Sequence, residues 1–391
     1  MKILVLSFYF SPDLSAGSFR TQSLVKQLQE DGHEVHVITS MPNRYRSFSM
    51  QASGEEAIDK LRVSRVSLPK HKSGMIDQAK AYSSYYFGAM KLVNKESYDL
   101  VYATSSRLFT AFLGARISAK KKIPLYLDIR DIFIDTLSDV LSGSIFKLLQ
   151  PIFNFVERYT FKRAKKVNLV SKGFEEYFGK RYPGLSYSYF TNGIDDDFLL
   201  DKTKLTPYKT DESKVVSITY AGNIGEGQGL HLIVPELASR LESEVTFNIV
   251  GDGGRKPELV SRCKDLNNVS LLDPIERSQL IDVYLSSDIL FLHLNDYDAF
   301  KKVLPSKIFE YAAMGKPILA GVSGYANQFL KENVVNCAVF NPCDVDEAVD
   351  AYKSLKLTTS DRSEFIQNFS RVVIMEKMSK DIASVLESES K

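Results

Sequence analysis

The most informative chemistry in this sequence lies in the segment that follows Leu304. Ser306 is predicted to cap a helix whose first turn carries Lys307, with Glu310 one turn further on nearly the same face. Backbone N–H groups, the helix dipole and an ammonium group would converge there on one anion. The carboxylate could accept the two hydroxyls of a ribose. The alternative is a capped helix that carries a Lys–Glu pair and binds no ligand.

Two further loops are rich in glycine and lie between a strand-like run and a helix-like stretch. Gly222–Gly229 contains four glycines in eight residues and could offer backbone N–H groups to a diphosphate. Gly251–Lys256 places two cations, Arg255 and Lys256, directly behind a glycine turn, where they could neutralise phosphate charge, although solvated turn cations are an equal alternative. Neither loop has the Walker pattern or a strict GxGxxG, so a redox dinucleotide is disfavoured.

The first half of the chain carries two weaker signals. Gly17 lies at the tip of the loop after the first predicted strand, where a missing side chain would let a substrate approach, although an ordinary turn capped by Ser18 is the alternative. Asp128, Arg130 and Asp131 follow a later strand. The two aspartates could orient a substrate hydroxyl or hold Arg130, and a structural ion network is an equal alternative.

Several function classes are disfavoured. The three cysteines include no CxxC pair, and the five histidines show no metal-ligand spacing. Asp195–Asp197 follows an Asn-Gly turn and is interpreted as cap or linker residues, so no metal and no cofactor are predicted. The apolar N-terminus lacks a cleavage site, and no window is long enough to span a membrane, which favours a cytoplasmic protein.

Apolar runs alternate with amphipathic stretches throughout the 391 residues, which predicts an α/β fold of two doubly wound parallel-sheet domains. The predicted domains are 1–200 and 201–370, with a terminal helical segment at 371–391. Residues 42–72 are predicted to be a variable edge or a mobile loop. Six strands are predicted in the second domain, at Val215–Ala221, Glu244–Val250, Val269–Leu272, Asp288–Leu292, Pro317–Ala320 and Asn336–Phe340.

Charge is distributed unevenly along the chain. Residues 1–200 hold 28 Lys or Arg against 20 Asp or Glu, although the whole chain has a net charge of only +2. Much of the excess lies in 145–166, where six basic residues and one Glu accompany several Phe and Leu residues. That composition suits an anionic membrane surface, and a core-facing helix with a solvated basic face is the alternative. Nucleic acid is disfavoured because no reader motif accompanies the charge.

Taken together, five motifs resemble glycosyltransferase family 4, and most closely its bacterial branch that adds N-acetylated deoxyhexosamines to surface polysaccharides. The motifs are FSPDLSAGSFR, NGID, YAGNIGEGQGL, IVGDGGRKPEL and LPSKIFEYAAMGKP. The resemblance implies a GT-B fold, with two Rossmann-like domains, an interdomain cleft and a final helix that crosses back to the N-terminal domain. It also implies that the N-terminal domain binds the acceptor and the C-terminal domain binds the nucleotide sugar.

The resemblance also implies roles for particular residues. Glu310 corresponds to the ribose-binding Glu, Gly17 to the loop that approaches the donor phosphate, and Asp273–Ile275 to the segment that frames the base. Asn223 and Gln228 are neutral where the family commonly has Arg and Lys, so Lys307 and Arg255 are predicted to supply the cationic charge. The predicted donor-binding set is Gly17, Asn223, Gly225, Gly253, Arg255, Asp273, Ile275, Ser306, Lys307 and Glu310. The predicted catalytic set is Asp128, Arg130, Asp131 and Lys307.

The implied function is a retaining, metal-independent transfer of an N-acetylated amino sugar from a UDP-sugar to a polyprenyl-diphosphate-linked saccharide. Such a reaction belongs to polysaccharide or O-antigen synthesis, at the cytoplasmic face of the inner membrane. Two alternatives stay open, namely a UDP-sugar epimerase of the same fold and a nucleotide-sugar-binding protein without catalysis. The neutral Asn223 and Gln228, with Lys302 at the position of a further family Glu, are consistent with the second alternative.

Overall fold

The structure is a computed structural model that describes residues 1–13, 15–42, 52–69, 75–105, 108–132, 134, 143–200 and 215–387. The chain divides into two compact units. Unit 1 comprises Met1–Asn192 together with Arg371–Lys391, and unit 2 comprises Gly193–Ser370. Among the described residues, no helix combines the length and hydropathy that crossing a bilayer requires.

Unit 1 is built on one sheet of eight described strands. These are β1 Lys2–Leu6, β2 Glu34–Ser40, β3 Glu55–Ile58, β4 Leu61–Val66, β5 Leu100–Thr104, β6 Leu125–Ile129, β7 Lys166–Leu169 and β8 Ser186–Ser188. Their order is β3-β4-β2-β1-β5-β6-β7-β8, and every neighbouring pair is parallel except the β3–β4 hairpin. The connections run in opposite directions from β1, so the carboxyl ends of β1 and β5 form the topological switch point where ligands of such sheets bind.

The described helices of unit 1 before the final segment cover the sheet. They are α1 Ala16–Glu30, α2 Met75–Val93, α3 Leu108–Lys121, α4 Gly143–Arg163 and α5 Glu175–Arg181. The sequence did not predict α2, which is rich in Tyr and Ser, residues of modest helix propensity. The helix packs closely on β4 at Gly88, where a Cβ atom would come within 2.5 Å of a Val66 methyl carbon.

Part of the segment 42–72, which was predicted to be a variable edge or a mobile loop, forms a regular hairpin at the edge of the sheet. The β3–β4 hairpin occupies Glu55–Ile58 and Leu61–Val66, with Asp59 in the left-handed region at φ 49°. The strand β3 is mostly exposed, so its polar sequence gave little of the alternation that identifies a strand. The remaining parts of that prediction, 43–51 and 70–72, lie outside the described residues.

Unit 2 contains the six predicted strands, each within two residues of its predicted bounds. They are β9 Val216–Asn223, β10 Val245–Asp252, β11 Val269–Leu272, β12 Ile289–His293, β13 Ile318–Gly321 and β14 Cys337–Phe340. The order is β11-β10-β9-β12-β13-β14 and all described pairs are parallel, with Gly222 opposite Gly251 and Leu290 opposite Ile318. The switch point lies between β9 and β12.

Helices cover both faces of the sheet in unit 2, which confirms the doubly wound α/β prediction. They are α6 Leu230–Arg240, α7 Lys256–Arg262, α8 Arg277–Ser286, α9 Lys307–Ala313, α10 Gly324–Asn333, α11 Val345–Ser354 and α12 Ser363–Phe369. Ile233 of α6 belongs to a buried cluster with Ile218 and Phe247 of the sheet. Ile308 of α9 belongs to a second buried cluster with Leu290.

The last helix, α13 Arg371–Glu387, belongs to unit 1 and packs beside α1. Its Asp381 carboxylate accepts hydrogen bonds from the Tyr126 and Ser188 hydroxyls, at 2.8 and 2.7 Å, and forms an ion pair with Lys166. Three neighbouring strands of unit 1 are therefore tied to one side chain of the C-terminal helix.

A buried histidine at the end of β12 makes the stability of unit 2 depend on pH. The His293 Nδ1 atom lies 2.7 Å from the Gln228 carbonyl oxygen, while Nε2 accepts a hydrogen bond from the Cys343 N–H at 3.0 Å. The neutral ring with hydrogen on Nδ1 satisfies both contacts. Burial lowers the pKa of His293 to about 4, against 6.5 for an ordinary histidine.

We expect unit 2 to lose stability as the pH falls from about 6.5 towards 4. The unfolded chain binds a proton at His293 in this range and the folded chain does not. The contribution of neutral His293 to the stability of unit 2 is therefore fully present only above the unfolded pKa. At pH 5 the loss is about 2 kcal/mol. Urea denaturation from pH 7.5 to 4.5 measures it. A His293→Gln variant that keeps the slope of the wild type would contradict this assignment.

Candidate functional site

The two glycine-rich loops of unit 2 lie side by side at the carboxyl ends of β9 and β10. The Ile224 N–H donates to the Asp252 carbonyl at 2.8 Å, and the Arg255 N–H donates to the Ile224 carbonyl at 2.9 Å. Gly253 has φ 159°, and a Cβ atom there would come within 2.5 Å of the Ile224 oxygen and 2.8 Å of Asn223 Oδ1. Only glycine fits this approach, so the predicted residues Asn223 and Gly253 do meet.

Asn223 and Gln228, the two neutral residues of the first loop, bind each other. Asn223 Nδ2 donates to Gln228 Oε1 at 2.7 Å, and the same oxygen accepts from the Gly225 N–H at 3.3 Å. A Cβ atom on Gly225 would approach Asn223 Nδ2 to 2.5 Å. The Asn223 and Gln228 side chains therefore shape the loop without adding charge to it.

Arg255, which was predicted to supply cationic charge for a phosphate at the second loop, is paired with two carboxylates. Its guanidinium forms ion pairs with Glu226 and, at 2.8 Å, with Glu258. The Glu226 carboxylate also accepts a hydrogen bond from the Tyr297 hydroxyl at 2.6 Å. The side chain of Arg255 is 44% exposed, and two carboxylates already balance its charge. Its structural role is to join the two loops, so Arg255 is not an uncompensated phosphate-binding cation.

The third predicted segment follows β11, next to β10 in the sheet. The exposed Asp273 carboxylate accepts from Lys256 Nζ at 2.7 Å, and Lys256 also donates to the Gly251 carbonyl at 2.9 Å. Ile275 is exposed on the same segment. Lys256 thus connects the second glycine loop to the segment that was predicted to frame a base.

Lys307 and Glu310 form an ion pair, as the spacing of the two residues indicates. Lys307 Nζ lies 3.0 Å from Glu310 Oε2 and donates to the Tyr284 hydroxyl at 3.1 Å, and the Tyr284 hydroxyl lies 3.4 Å from the same Glu310 oxygen. Lys307 also reaches the first glycine loop, since its Cε lies 3.1 Å from where a Cβ atom on Gly222 would stand. The structure therefore brings the ion pair and this loop together.

The electrostatics around Lys307 keep its side chain charged. The surrounding protein lowers the pKa of Lys307, but the Glu310 carboxylate outweighs this effect and the pKa is raised above its ordinary value. Burial, reinforced by Glu310, raises the pKa of Tyr284 well above that of an exposed tyrosine. Burial likewise raises the pKa of Tyr220 and Tyr311. The cluster consists of one ammonium, one carboxylate and three neutral phenols.

Ser306 does not act as the predicted helix cap. Its backbone already has helical angles, φ −62° and ψ −26°, and its side chain makes no cap hydrogen bond to α9. Sequence analysis also missed the tyrosines that surround Lys307. Tyr284 is 23 residues away on α8 and Tyr220 lies on β9, so only the packing of α8, α9 and the sheet brings them together.

In unit 1, Asp128 holds Arg20 and not Arg130. Its carboxylate accepts from Arg20 Nε and Nη2, at 2.9 and 3.0 Å. It also accepts from the Tyr102 hydroxyl at 2.9 Å and from Asn168 Nδ2 at 2.7 Å. Burial would raise the pKa of Asp128, but Arg20 outweighs burial and the pKa is lowered. A fully buried carboxylate with four donors has no capacity left for a substrate, which corrects the catalytic assignment of Asp128.

The pairing of Arg20 with Asp128 was not predicted from the sequence. It lies on the buried face of α1 with Leu24 and Leu28, four and eight residues further on. A charged residue on such an apolar stripe requires a buried partner. The apolar stripe around Arg20 therefore indicates from the sequence that Arg20 has a buried partner. The identity of that partner cannot be read from the sequence, because it depends on how α1 packs against β6.

Arg130 lies directly on the backbone of Gly17. A Cβ atom built on Gly17 would overlap the Arg130 guanidinium, which in the described part of the chain makes no hydrogen bond or ion pair. Gly17 lies in the first turn of α1. The cap of this helix is Ser15, whose hydroxyl accepts a hydrogen bond from the Ser18 N–H at 3.1 Å, so Ser18 is not the cap. The burial of Arg130 lowers its pKa. Asp131 has an exposed surface, but desolvation by the surrounding protein raises the pKa of its carboxyl.

We expect Gly17→Ala to displace Arg130 without unfolding unit 1. The methyl group meets the far end of a flexible side chain, and alanine suits a helix. If Arg130 contacts a substrate, kcat/KM falls about tenfold with an unchanged melting temperature. Gly179→Ala on α5 is the matched control, because nothing lies within 4 Å of its added methyl group. Equal turnover in the two variants would remove Arg130 from substrate binding.

Two family models match this chain along most of its length. The model described as "Glycosyl transferase 4-like domain" matches residues 16–184, within unit 1, and the model described as "Glycosyl transferases group 1" matches residues 216–356, within unit 2. The chain belongs to the glycosyltransferases. The predicted enzyme class is therefore confirmed, whereas the N-acetyl-deoxyhexosamine branch stays a prediction.

Similar proteins support the same class and fold. The Escherichia coli (strain K12) protein named "Putative colanic acid biosynthesis glycosyl transferase WcaI" is 26% identical over 341 residues, covering 81% of this chain and 82% of WcaI. Sucrose-phosphate synthase from Thermosynechococcus elongatus has a TM-score of 0.78 at 13% identity, with 99% of each chain covered. HepE of Anabaena, solved in complex with UDP, has a TM-score of 0.68 at 18% identity, covering 98% of this chain and 100% of HepE. These likenesses confirm the GT-B fold.

Proposed function

We propose that this glycosyltransferase transfers a sugar from a UDP-sugar to a polyprenyl-diphosphate-linked saccharide in polysaccharide or O-antigen synthesis. In this proposal the sugar is an N-acetylated amino sugar and its anomeric configuration is retained. The observation that carries the proposal is the Lys307–Glu310 ion pair beside the glycine loop of β9. One charged ammonium and one carboxylate, 3.0 Å apart at a switch point, match the diphosphate and ribose of a nucleotide sugar.

Lys307 takes the main electrostatic task in this reaction. When UDP leaves, negative charge develops on its phosphate oxygens. A cation that is already held in place stabilises this charge without any rearrangement of the site. Arg255 would first have to exchange Glu226 or Glu258 for a phosphate, so we assign it a supporting position only. The UDP bound to HepE, a protein of the same fold, supports the choice of donor. The proposed chemistry needs no metal ion and no cofactor.

Glu310 takes the ribose. Its Oε2 atom is held by Lys307 and Tyr284, and the side chain is partly exposed, so the carboxylate can accept hydrogen bonds from a diol. Charge-assisted hydrogen bonds of this kind are about twice as strong as neutral ones. Ile275 and the backbone of Asp273–Ile275 are assigned to the base.

In unit 1 we assign Arg130 and Gly17 to an anionic or hydroxyl-bearing part of the substrates. The Arg130 guanidinium makes no direct hydrogen bond or ion pair with a described residue, and it lies at the carboxyl end of β6, beside the first turn of α1. The exposed Asp131 is the carboxylate left to orient an acceptor hydroxyl. No side-chain nucleophile is assigned, because in the proposed retaining reaction the leaving phosphate accepts the acceptor's proton.

Because the proposed acceptor is linked to a membrane lipid, we infer that the enzyme acts at the cytoplasmic face of the inner membrane. On α4, Leu148, Ile152 and Phe155 are 76%, 56% and 65% exposed, which is unusual for large apolar side chains on one helix. Basic residues accompany them within 145–166. Apolar side chains beside cations are typical of helices that lie in an anionic membrane interface.

The proposed function is tested by measuring UDP release from a panel of UDP-sugars, with and without a polyprenyl-diphosphate-linked saccharide. We expect UDP release to require both substrates and to be fastest with a UDP-linked N-acetylated amino sugar. Isomerisation of the donor without acceptor would identify an epimerase, and binding of UDP-sugar without turnover would identify a non-catalytic protein. Either result would overturn the proposal.

A further inference from the structure

One face of α4 changes from apolar to basic along its length. Leu148, Ile152, Phe155, Tyr159 and Lys162 follow one another at spacings of four, three, four and three residues, so they lie in one stripe. The stripe is about 20 Å long at 1.5 Å per residue. Its first three members are largely exposed, and Phe155 lies 6.3 Å from Tyr159 between ring centroids.

The basic end of this stripe opens into a surface groove of about 810 Å³. The described residues that line the groove include four cations and no carboxylate. The four cations are Lys122, Lys162, Arg163 and Lys165, and Tyr159 lines the groove beside them. Arg163 is fixed in place because its Nη2 donates to the Ser118 carbonyl at 3.1 Å. Several cations without a carboxylate among the described lining residues suit the groove to an anionic group.

The groove is separate from the candidate active site. It lies between the end of α3, the start of β6 and the end of α4, next to the start of β7. This is the amino-terminal edge of the sheet, whereas Gly17 and Arg130 lie at the carboxyl-terminal edge. The roles assigned above to the donor and acceptor groups therefore leave the groove unused.

We propose that this groove binds the phosphate-bearing headgroup of an anionic phospholipid, while Leu148, Ile152 and Phe155 enter the bilayer beside it. The proposal rests on the membrane association proposed above and adds a discrete headgroup site to it. A helix that lies in the interface plane places its apolar residues at the acyl boundary and its cations against phosphates. Tyr159, between the two parts of the stripe, has the apolar body and polar tip that suit that boundary.

The test is binding of the full chain to vesicles of phosphatidylcholine with and without 30% phosphatidylglycerol, measured by flotation. Each Lys near an anionic surface contributes about a fivefold factor, so Lys122→Gln with Lys162→Gln is expected to weaken binding about 30-fold. The matched control is Lys26→Gln with Lys180→Gln, two exposed lysines of unit 1 that remove the same charge elsewhere. This control is expected to change binding less than threefold.

Additional experiments identify the ligand of the groove and distinguish this proposal from the proposed transferase activity. Phe155→Ser is expected to weaken binding to phosphatidylglycerol vesicles in high salt, where charge is screened. Equal binding to both vesicle types, or equal loss in the two double variants, would overturn the proposal. Retention by RNA or an acidic protein in place of vesicles, or saturation by millimolar inorganic phosphate, would also overturn it. Turnover with a detergent-dispersed acceptor is expected to be unchanged in Lys122→Gln with Lys162→Gln, so a failed headgroup site leaves the transferase proposal intact.

Discussion

Replacing Arg20 by Met is expected to destabilise unit 1 by about 3–5 kcal/mol, the cost of leaving one charge of a buried ion pair without its partner. Arg20 and Asp128 are each 1% exposed at their side chains. The variant leaves the Asp128 carboxylate with only neutral donors, from Tyr102 and Asn168. Hydrogen exchange of peptides from β6 and β7 measures the loss, because the chain lacks tryptophan and contains two units.

The pH dependence of this loss identifies its cause. In the wild type the lowered pKa of Asp128 contributes stability above the unfolded pKa of about 4, and this stability is lost as the pH falls through the folded value. In Arg20→Met the folded pKa rises instead, so the penalty is fully present at neutral pH and shrinks towards pH 4. Lys180→Met, which removes an exposed pair with Glu176, is the control and is expected to cost under about 0.5 kcal/mol. A loss of the same size at pH 7 and pH 4.5 would show that lost packing, not the carboxylate, is responsible.

Replacing Lys307 by Ala is expected to lower kcat by about 10²–10³-fold, the effect of removing one preorganised group that stabilises developing charge. Lys307→Arg is expected to recover part of the rate, since it restores the charge in a different shape. Lys301→Ala is the matched control, because Lys301 also pairs with a carboxylate three residues away, Asp298. The measurement is acceptor-dependent release of UDP at saturating donor.

The control variant is expected to keep the wild-type rate within twofold. Melting temperatures of both variants separate catalysis from folding, because Glu310 loses its partner in Lys307→Ala. A Lys307→Ala enzyme that folds normally and turns over at the wild-type rate would remove Lys307 from the reaction.

The sequence predicted the parts of the site that depend on spacing along one element. Lys307 and Glu310 are one turn apart on the same helix, so their pairing follows from helix geometry alone. The glycine loops were placed at one edge because parallel strands end together. The central strands β12 and β13 of unit 2 were predicted well because every residue in them is buried, so they form continuous apolar runs.

Contacts between distant segments could not be predicted from the sequence. Arg255 is neutralised by Glu226, 29 residues earlier, and this pair depends on how the loops of β9 and β10 lie against each other. Asp128 was expected to act with its neighbour Arg130, but it is a strand residue that points inward to Arg20, 108 residues away. Arg130 lies beyond the end of that strand, where its side chain reaches Gly17.

The proposed binding of the UDP diphosphate by Lys307 and of the ribose by Glu310 is tested most directly by calorimetric titration of the enzyme with UDP and with 2′,3′-dideoxy-UDP. The wild type is expected to bind UDP at least tenfold more tightly than the dideoxy analogue, because Glu310 accepts from both hydroxyls. Glu310→Gln is expected to lose most of that preference, whereas Glu236→Gln, an exposed control on α6, keeps it. Comparing two ligands on each variant cancels any change at Lys307. A wild type that binds the two nucleotides equally, or a Glu310→Gln variant with the full wild-type preference, would contradict the account.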